Sequence, residues 1–103
     1  MEQMDGEPKV NIIAQDDYRE GYANSVQVRA SLWDFFLQFG TLGQQSPQQV
    51  EIHAFQGVYL SPQQAKALYT VLGENIKQYE ATIGEIRLAP GQTPIPAVNP
   101  KPN

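Results

Sequence analysis

The side chains best suited to chemistry in this 103-residue chain are few: one histidine, His53, a small acidic cluster, and scattered serines and glycines. Alternation along an extended segment puts His53 with Glu51 and Tyr59 on the face opposite Ile52. A general acid or metal ligand needs a partner at a defined distance, and Glu51 two residues away permits a contact without specifying one. His53 is therefore expected to be an ordinary surface or interface residue. Asp16, Asp17 and Glu20 could offer carboxylates to a hard cation. A recognisable calcium loop alternates oxygen ligands and adds a distal glutamate, a pattern missing here, so a solvated loop is expected. Ser25, Ser31, Ser46 and Ser61 lie in no strained G-x-S-x-G elbow, and Ser61 has a structural task as a helix cap. The glycines are too isolated to cradle a phosphate. With no cysteine, thiolate catalysis, zinc knuckles and iron–sulfur clusters are excluded. We expect no catalytic residue, no metal and no cofactor, and read the chain as not an enzyme.

The elements that would carry these residues follow from periodicity. From Tyr22 to Ser31, Val26, Val28 and Ala30 alternate with Ser25, Gln27, Arg29 and Ser31, as in a strand with one wet face. Ser31 and Asp34 supply short polar side chains for a tight turn. A second strand over Phe35–Leu42 carries Phe35, Leu37 and Phe39 on one side and Phe36 and Leu42 on the other. That two-sided pattern predicts a central strand or one covered by a partner. After a polar connection, Gly43–Gln48, a third strand runs over Gln49–Phe55, and Gly57 is expected to mark a bulge before Val58–Leu60.

The helix signal is stronger. Ser61 suits the N-cap, Pro62 the first helical position, and Gln64 completes a capping box. Ala65, Leu68, Leu72, Ile76, Tyr79 and Ile83 then form one apolar stripe, and Gly84 is a C-cap residue. At 1.5 Å per residue a helix over 62–83 is about 33 Å long, longer than a three-stranded sheet is wide. Gly73, which costs about 1 kcal/mol relative to alanine inside a helix, is expected to admit the close approach of another element. The fold class is thus α+β: a small antiparallel meander of three to four strands and one long C-terminal helix, packed on the sheet or across an oligomer interface.

Residues 1–17 read as a flexible arm able to pair as an edge strand, 18–88 as the single domain, and 89–103, with five prolines, as a disordered tail without a P-x-x-P spacing. A net charge of −4 with scattered lysines and arginines argues against nucleic acid. No apolar run approaches the length of a membrane span, and the acidic N-terminus resembles no targeting signal. A cytoplasmic location is expected.

The pattern Tyr22-x-Asn24-x-Val26-x-Val28, then Ser31, Asp34-Phe35, Leu37, Phe39-Gly40, Leu60-Ser61-Pro62, Ala65-Lys66, Tyr79-Glu80 and Gly84-x-Ile86 resembles the bacterial family known as domain of unknown function 3467. The likeness covers about 18–88. It implies this architecture and a prokaryotic or phage setting, and brings no activity and no site. The strands-then-helix order is also similar, in topology alone, to the export-chaperone fold.

Nine aromatic side chains between Tyr22 and Tyr79 exceed what one helix and one sheet can bury. Phe35, Phe39 and Tyr79 are assigned to the core. Trp33, Phe36, Phe55, Tyr59 and Arg29 form the expected binding set, and Leu68, Leu72, Ile76 and Tyr79 the expected oligomer interface. The partners expected are a second copy of the chain, as a homodimer or higher assembly, and another protein or peptide. The functional expectation is a non-catalytic, homo-oligomeric interaction or scaffold module. Its alternative is a protein that binds or sequesters a metabolite or signalling nucleotide between subunits, through Arg29, Tyr59 and Trp33.

Overall fold

The computed structural model describes residues 7–88 together with the pair Ile95–Pro96. Residues 7–14 form no helix and no strand, so the expected edge strand is not formed there; Val10, Ile12 and Ile13 are 79–91% exposed. The backbone then turns at Gln15–Tyr18, where the Tyr18 amide donates to the Gln15 carbonyl at 2.9 Å.

Strand β1 (Ser25–Ala30) pairs antiparallel with β2 (Phe35–Ser46), which pairs antiparallel with β3 (Gln49–Leu60). The first turn is built as its short side chains predict. Ser31 Oγ accepts from the amides of Trp33 and Asp34, each at 3.1 Å, and donates to Asp34 Oδ1 at 3.0 Å. β2 runs on to Ser46, four residues past its expected end, because the glutamine-rich stretch pairs with β3 and only Pro47-Gln48 is left to make the turn. Helix α1 (Pro62–Thr82) follows, and the two-residue strand β4 (Ile95–Pro96) lies parallel to β1 at Gln27 and Val28. The sheet order is β3-β2-β1-β4. That pairing departs from the unstructured tail expected over 89–103. Proline is tolerated at a sheet edge, where its missing N–H faces away from the ladder. The rest of that stretch, 89–94 and 97–103, lies outside the described residues, as do residues 1–6.

A bulge decides which side chains share a face. Phe39 pairs with Gln56 but Gly40 with Ala54, so Phe55 is the extra residue on β3. The expected bulge at Gly57 is thus displaced by two positions, and Gly57 pairs in register with Gln38. Between the turn end of the sheet and the bulge, Val26, Val28, Ala30, Phe35, Leu37, Phe39, Val58 and Leu60 form one apolar face with an aliphatic centre. Arg29, Phe36, Gln38, Gly57 and Tyr59 lie on the other. Past the bulge, His53 pairs with Thr41. Thr41 is five residues from Phe36 on a stretch of β2 without a bulge, so His53 and Tyr59 point to opposite faces; a second irregularity follows, where Gly43 and Gln44 of β2 stand opposite Glu51. The grouping of His53 with Tyr59 is therefore corrected: one inserted residue inverts the parity of everything beyond it.

The helix forms as its local signals dictate. Ser61, with φ −63° and ψ 157°, caps it by accepting from the Gln64 amide at 3.1 Å, and Pro62 occupies the first turn. At the far end the Ile83 amide reaches the Tyr79 carbonyl at 2.7 Å, and Gly84 takes φ 152°, a conformation that favours glycine. The chain beyond is tied back by the Ile86 amide, which donates to Glu80 Oε2 at 2.9 Å. No helix among the described residues is long and apolar enough to cross a membrane.

The helix does not lie back over the sheet. Only Pro62 and Ala65, in its first turns, are even half-buried, and Leu68, Leu72, Ile76, Tyr79 and Ile83 are 41–68% exposed. Among the described residues no apolar side chain is buried, and Gly40 alone is enclosed. The core positions assigned to Phe35, Phe39 and Tyr79 are therefore corrected. The two phenylalanines are half-buried on the sheet and Tyr79 is exposed on the helix, because none of the described residues folds over either. The radius of gyration, 17.7 Å, exceeds the about 13 Å of a compact 100-residue domain. Gly73 has no atom within 4 Å of a Cβ placed on it, so the close approach expected there is not made by the described residues.

Candidate functional site

Three of the five expected binding residues come together. On neighbouring strands, Arg29 pairs with Phe36 and Phe36 with Tyr59, so a row of three side chains crosses β1, β2 and β3 on one face. The Arg29 guanidinium carbon sits 4.7 Å from the Phe36 ring centroid, and the Phe36 and Tyr59 centroids are 4.6 Å apart at 39°. Cation–π and tilted aromatic contacts hold the row together. Gly57 makes room for it, because a Cβ there would stand 2.8 Å from the Phe36 ring. The Arg29 and Tyr59 ends are exposed while Phe36 is half-buried between them, so the row presents a cation, a flat apolar surface and a phenol hydroxyl.

Gln27 and Gln38, paired across β1 and β2, lie next to this row, and with Arg29 and Phe36 they line a shallow hollow of about 110 Å³. Sequence reading missed these amides, since glutamine on a wet strand face is unremarkable until the register sets it beside an arginine. Among the described residues no carboxylate forms an ion pair with Arg29. The row can therefore stack a planar group, donate hydrogen bonds to an anion or carbonyl, and exchange amide hydrogen bonds with a backbone.

Trp33 and Phe55 do not join it. Trp33 stands in the β1–β2 turn, 78% exposed, and Phe55 occupies the bulge with its ring against Gly21. Both positions follow from backbone geometry that composition does not encode. The expected interface residues Leu68, Leu72, Ile76 and Tyr79 do share one exposed stripe of α1.

His53 Nε2 lies 3.5 Å from Glu51 Oε1, both well exposed, and that carboxylate also accepts from the Gln44 amide at 3.4 Å. Asp16, Asp17 and Glu20 are exposed, and Glu20 Oε2 accepts from the Tyr18 hydroxyl at 2.7 Å, a bond that raises the Tyr18 pKa above the usual phenol value. Among the described residues no three His, Asp or Glu side chains are grouped to hold a metal.

The sequence profile of the protein family of unknown function DUF3467 matches residues 1–88. The chain belongs to that family. No curated protein and no solved structure matches this DUF3467 chain, so neither comparison supplies an activity or supports the topological likeness to the export-chaperone fold. The match takes in the whole meander, α1 and the Arg29–Phe36–Tyr59 row of this DUF3467 member.

Proposed function

We propose that this DUF3467 protein is a non-catalytic, homo-oligomeric interaction or scaffold module, acting in the cytoplasm of a bacterium or in a phage-infected cell. One observation carries the reading: among the described residues no apolar side chain is buried, although the secondary structure is complete. Burying a large apolar side chain stabilises by roughly 1.5–3 kcal/mol, and domains have a net stability of only about 5–15 kcal/mol. A sheet and helix that leave every such side chain partly wet need a second surface to be stable. Self-association supplies it with no further gene product, and a two-fold dimer is its commonest closed form. The Arg29–Phe36–Tyr59 row, with its amide neighbours, is then the face offered to another protein or peptide. Light scattering on the full chain should return twice the 11.5 kDa chain mass or a higher multiple. A folded monomer would contradict the reading.

The alternative, a small-ligand binder, is favoured by the hollow beside Arg29. At about 110 Å³ it is well below the roughly 300–1,000 Å³ of small-molecule pockets, so a metabolite or nucleotide would need walls from a second copy. A thermal-shift screen separates the two, because a ligand that binds only the native state raises the melting temperature with its concentration. Nucleotides and metabolites are expected to shift nothing.

A further inference from the structure

The two open apolar surfaces differ in shape, and that difference points to how they are covered. The helix stripe follows Ala65, Leu68, Leu72, Ile76, Tyr79 and Ile83 in steps of three, four, four, three and four residues, which keeps it on one side of α1. The two consecutive four-residue steps break the strict three-four alternation of a coiled-coil seam. The apolar sheet face, with Val28, Leu37 and Val58 at its centre, is broad and is the kind of surface on which a straight helix packs.

Within the described residues the chain does not bring its own two surfaces together. A strand and the helix that packs back on its sheet are usually joined by about 2–6 residues, and here Ser61 alone separates β3 from α1. Its extended conformation sends the helix onward from the end of β3, and only Pro62 and Ala65 are shielded. A hinge too short to close within one chain favours closure between two.

From this we infer that α1 is exchanged: the Leu68, Leu72, Ile76 and Tyr79 stripe of each copy lies across the apolar sheet face of the other, in a two-fold dimer. This rests on the homo-oligomer reading above and specifies its geometry. One symmetry operation then covers both surfaces, whereas helix-on-helix or sheet-on-sheet pairing alone leaves the other surface wet. The sizes agree. A helix about 30 Å long and 10 Å wide covers a strip of about 300 Å². Each copy gives one strip and receives another, so exchange engages about 600 Å² of footprint per copy, near the about 800 Å² of accessible surface per partner in stable interfaces. The Arg29–Phe36–Tyr59 row, on the opposite sheet face, stays open for a different partner.

Lengthening the hinge tests the exchange. Six Gly/Ser residues inserted between Leu60 and Ser61 keep the cap and give α1 enough chain to fold onto its own sheet. The wild-type dimer should become a monomer of half the mass with its helical circular dichroism retained. An insertion variant as dimeric as wild type overturns the exchange while leaving self-association intact, and a monomeric wild type overturns the homo-oligomer reading itself. Should the insertion fail to fold, disulfide mapping decides. The chain has no cysteine, so Leu72→Cys and Leu37→Cys, made in separate chains, co-refolded and oxidised, should cross-link to each other. Cross-linking of Leu72→Cys with itself alone, or no cross-link, rejects the exchange.

Discussion

Helix α1 and the β2–β3 hairpin are both long, regular and exposed, yet different forces hold them. The hairpin is fixed by pairing across its ladder, which closes at Ser46 and Gln49 and reaches partners as distant in sequence as Phe35 and Leu60, and the side chains of Phe36 and Tyr59 stack across it. The helix is fixed almost wholly by its own residues, through the Ser61 cap, the Pro62 start and the Gly84 stop, with little tertiary packing beyond its first turns. In proteins most helical stability comes from tertiary packing of an apolar face, and the 21-residue α1 has little of it. A hairpin with one unburied face is no better off. The comparison teaches that each element is well specified locally and that the described residues bury the apolar face of neither.

The sharpest way to break that comparison is to charge the helix stripe. Leu72→Asp would place a carboxylate where a partner surface is needed. Burying an unpaired charge costs several kcal/mol, so assembly and helix should be lost together, read by light scattering and circular dichroism at 222 nm. Retention of full helicity in a monomer would show that α1 is self-sufficient.

A smaller effect is expected at the hairpin. In Gly57→Ala the new methyl would meet the Phe36 ring at 2.8 Å and displace it from between Arg29 and Tyr59. Overpacking of this kind costs about 1–3 kcal/mol, measurable as a lower urea midpoint with an unchanged slope. A variant as stable as wild type would show that the aromatic row tolerates rearrangement.

The smallest effect has the opposite sign. Gly73 lies off the apolar stripe with open space around it, so Gly73→Ala should stabilise by up to about 1 kcal/mol through helix propensity. A loss of stability in the dimer, seen by the same urea titration, would place a partner surface against Gly73.

The contrast between the two elements also explains what could be read beforehand. The helix was legible because its determinants are local: a cap, a proline, a stripe and a glycine within 24 residues. The strand alternation was legible up to the bulge. The bulge was not, because nothing about Phe55 in the sequence marks it as the unpaired residue, and it decides whether His53 shares a face with Tyr59 and Phe36. The site was half legible for the same reason. The surplus of aromatics points to Phe36 and Tyr59 as contacts, and the register joins them to Arg29. The same surplus points to Trp33 and Phe55, and a turn and a bulge set them apart. Gln27 and Gln38 carry no sequence signal at all.

The central claim is that the apolar surface left open by one chain is covered by another, and the most direct measurement is the melting temperature of the full chain across a hundredfold dilution. Folding coupled to association makes stability depend on chain concentration. The account predicts a melting temperature that falls steadily on dilution, with the helical signal lost in the same transition as the sheet. A melting temperature that stays constant over the whole range, with one cooperative transition, would contradict it.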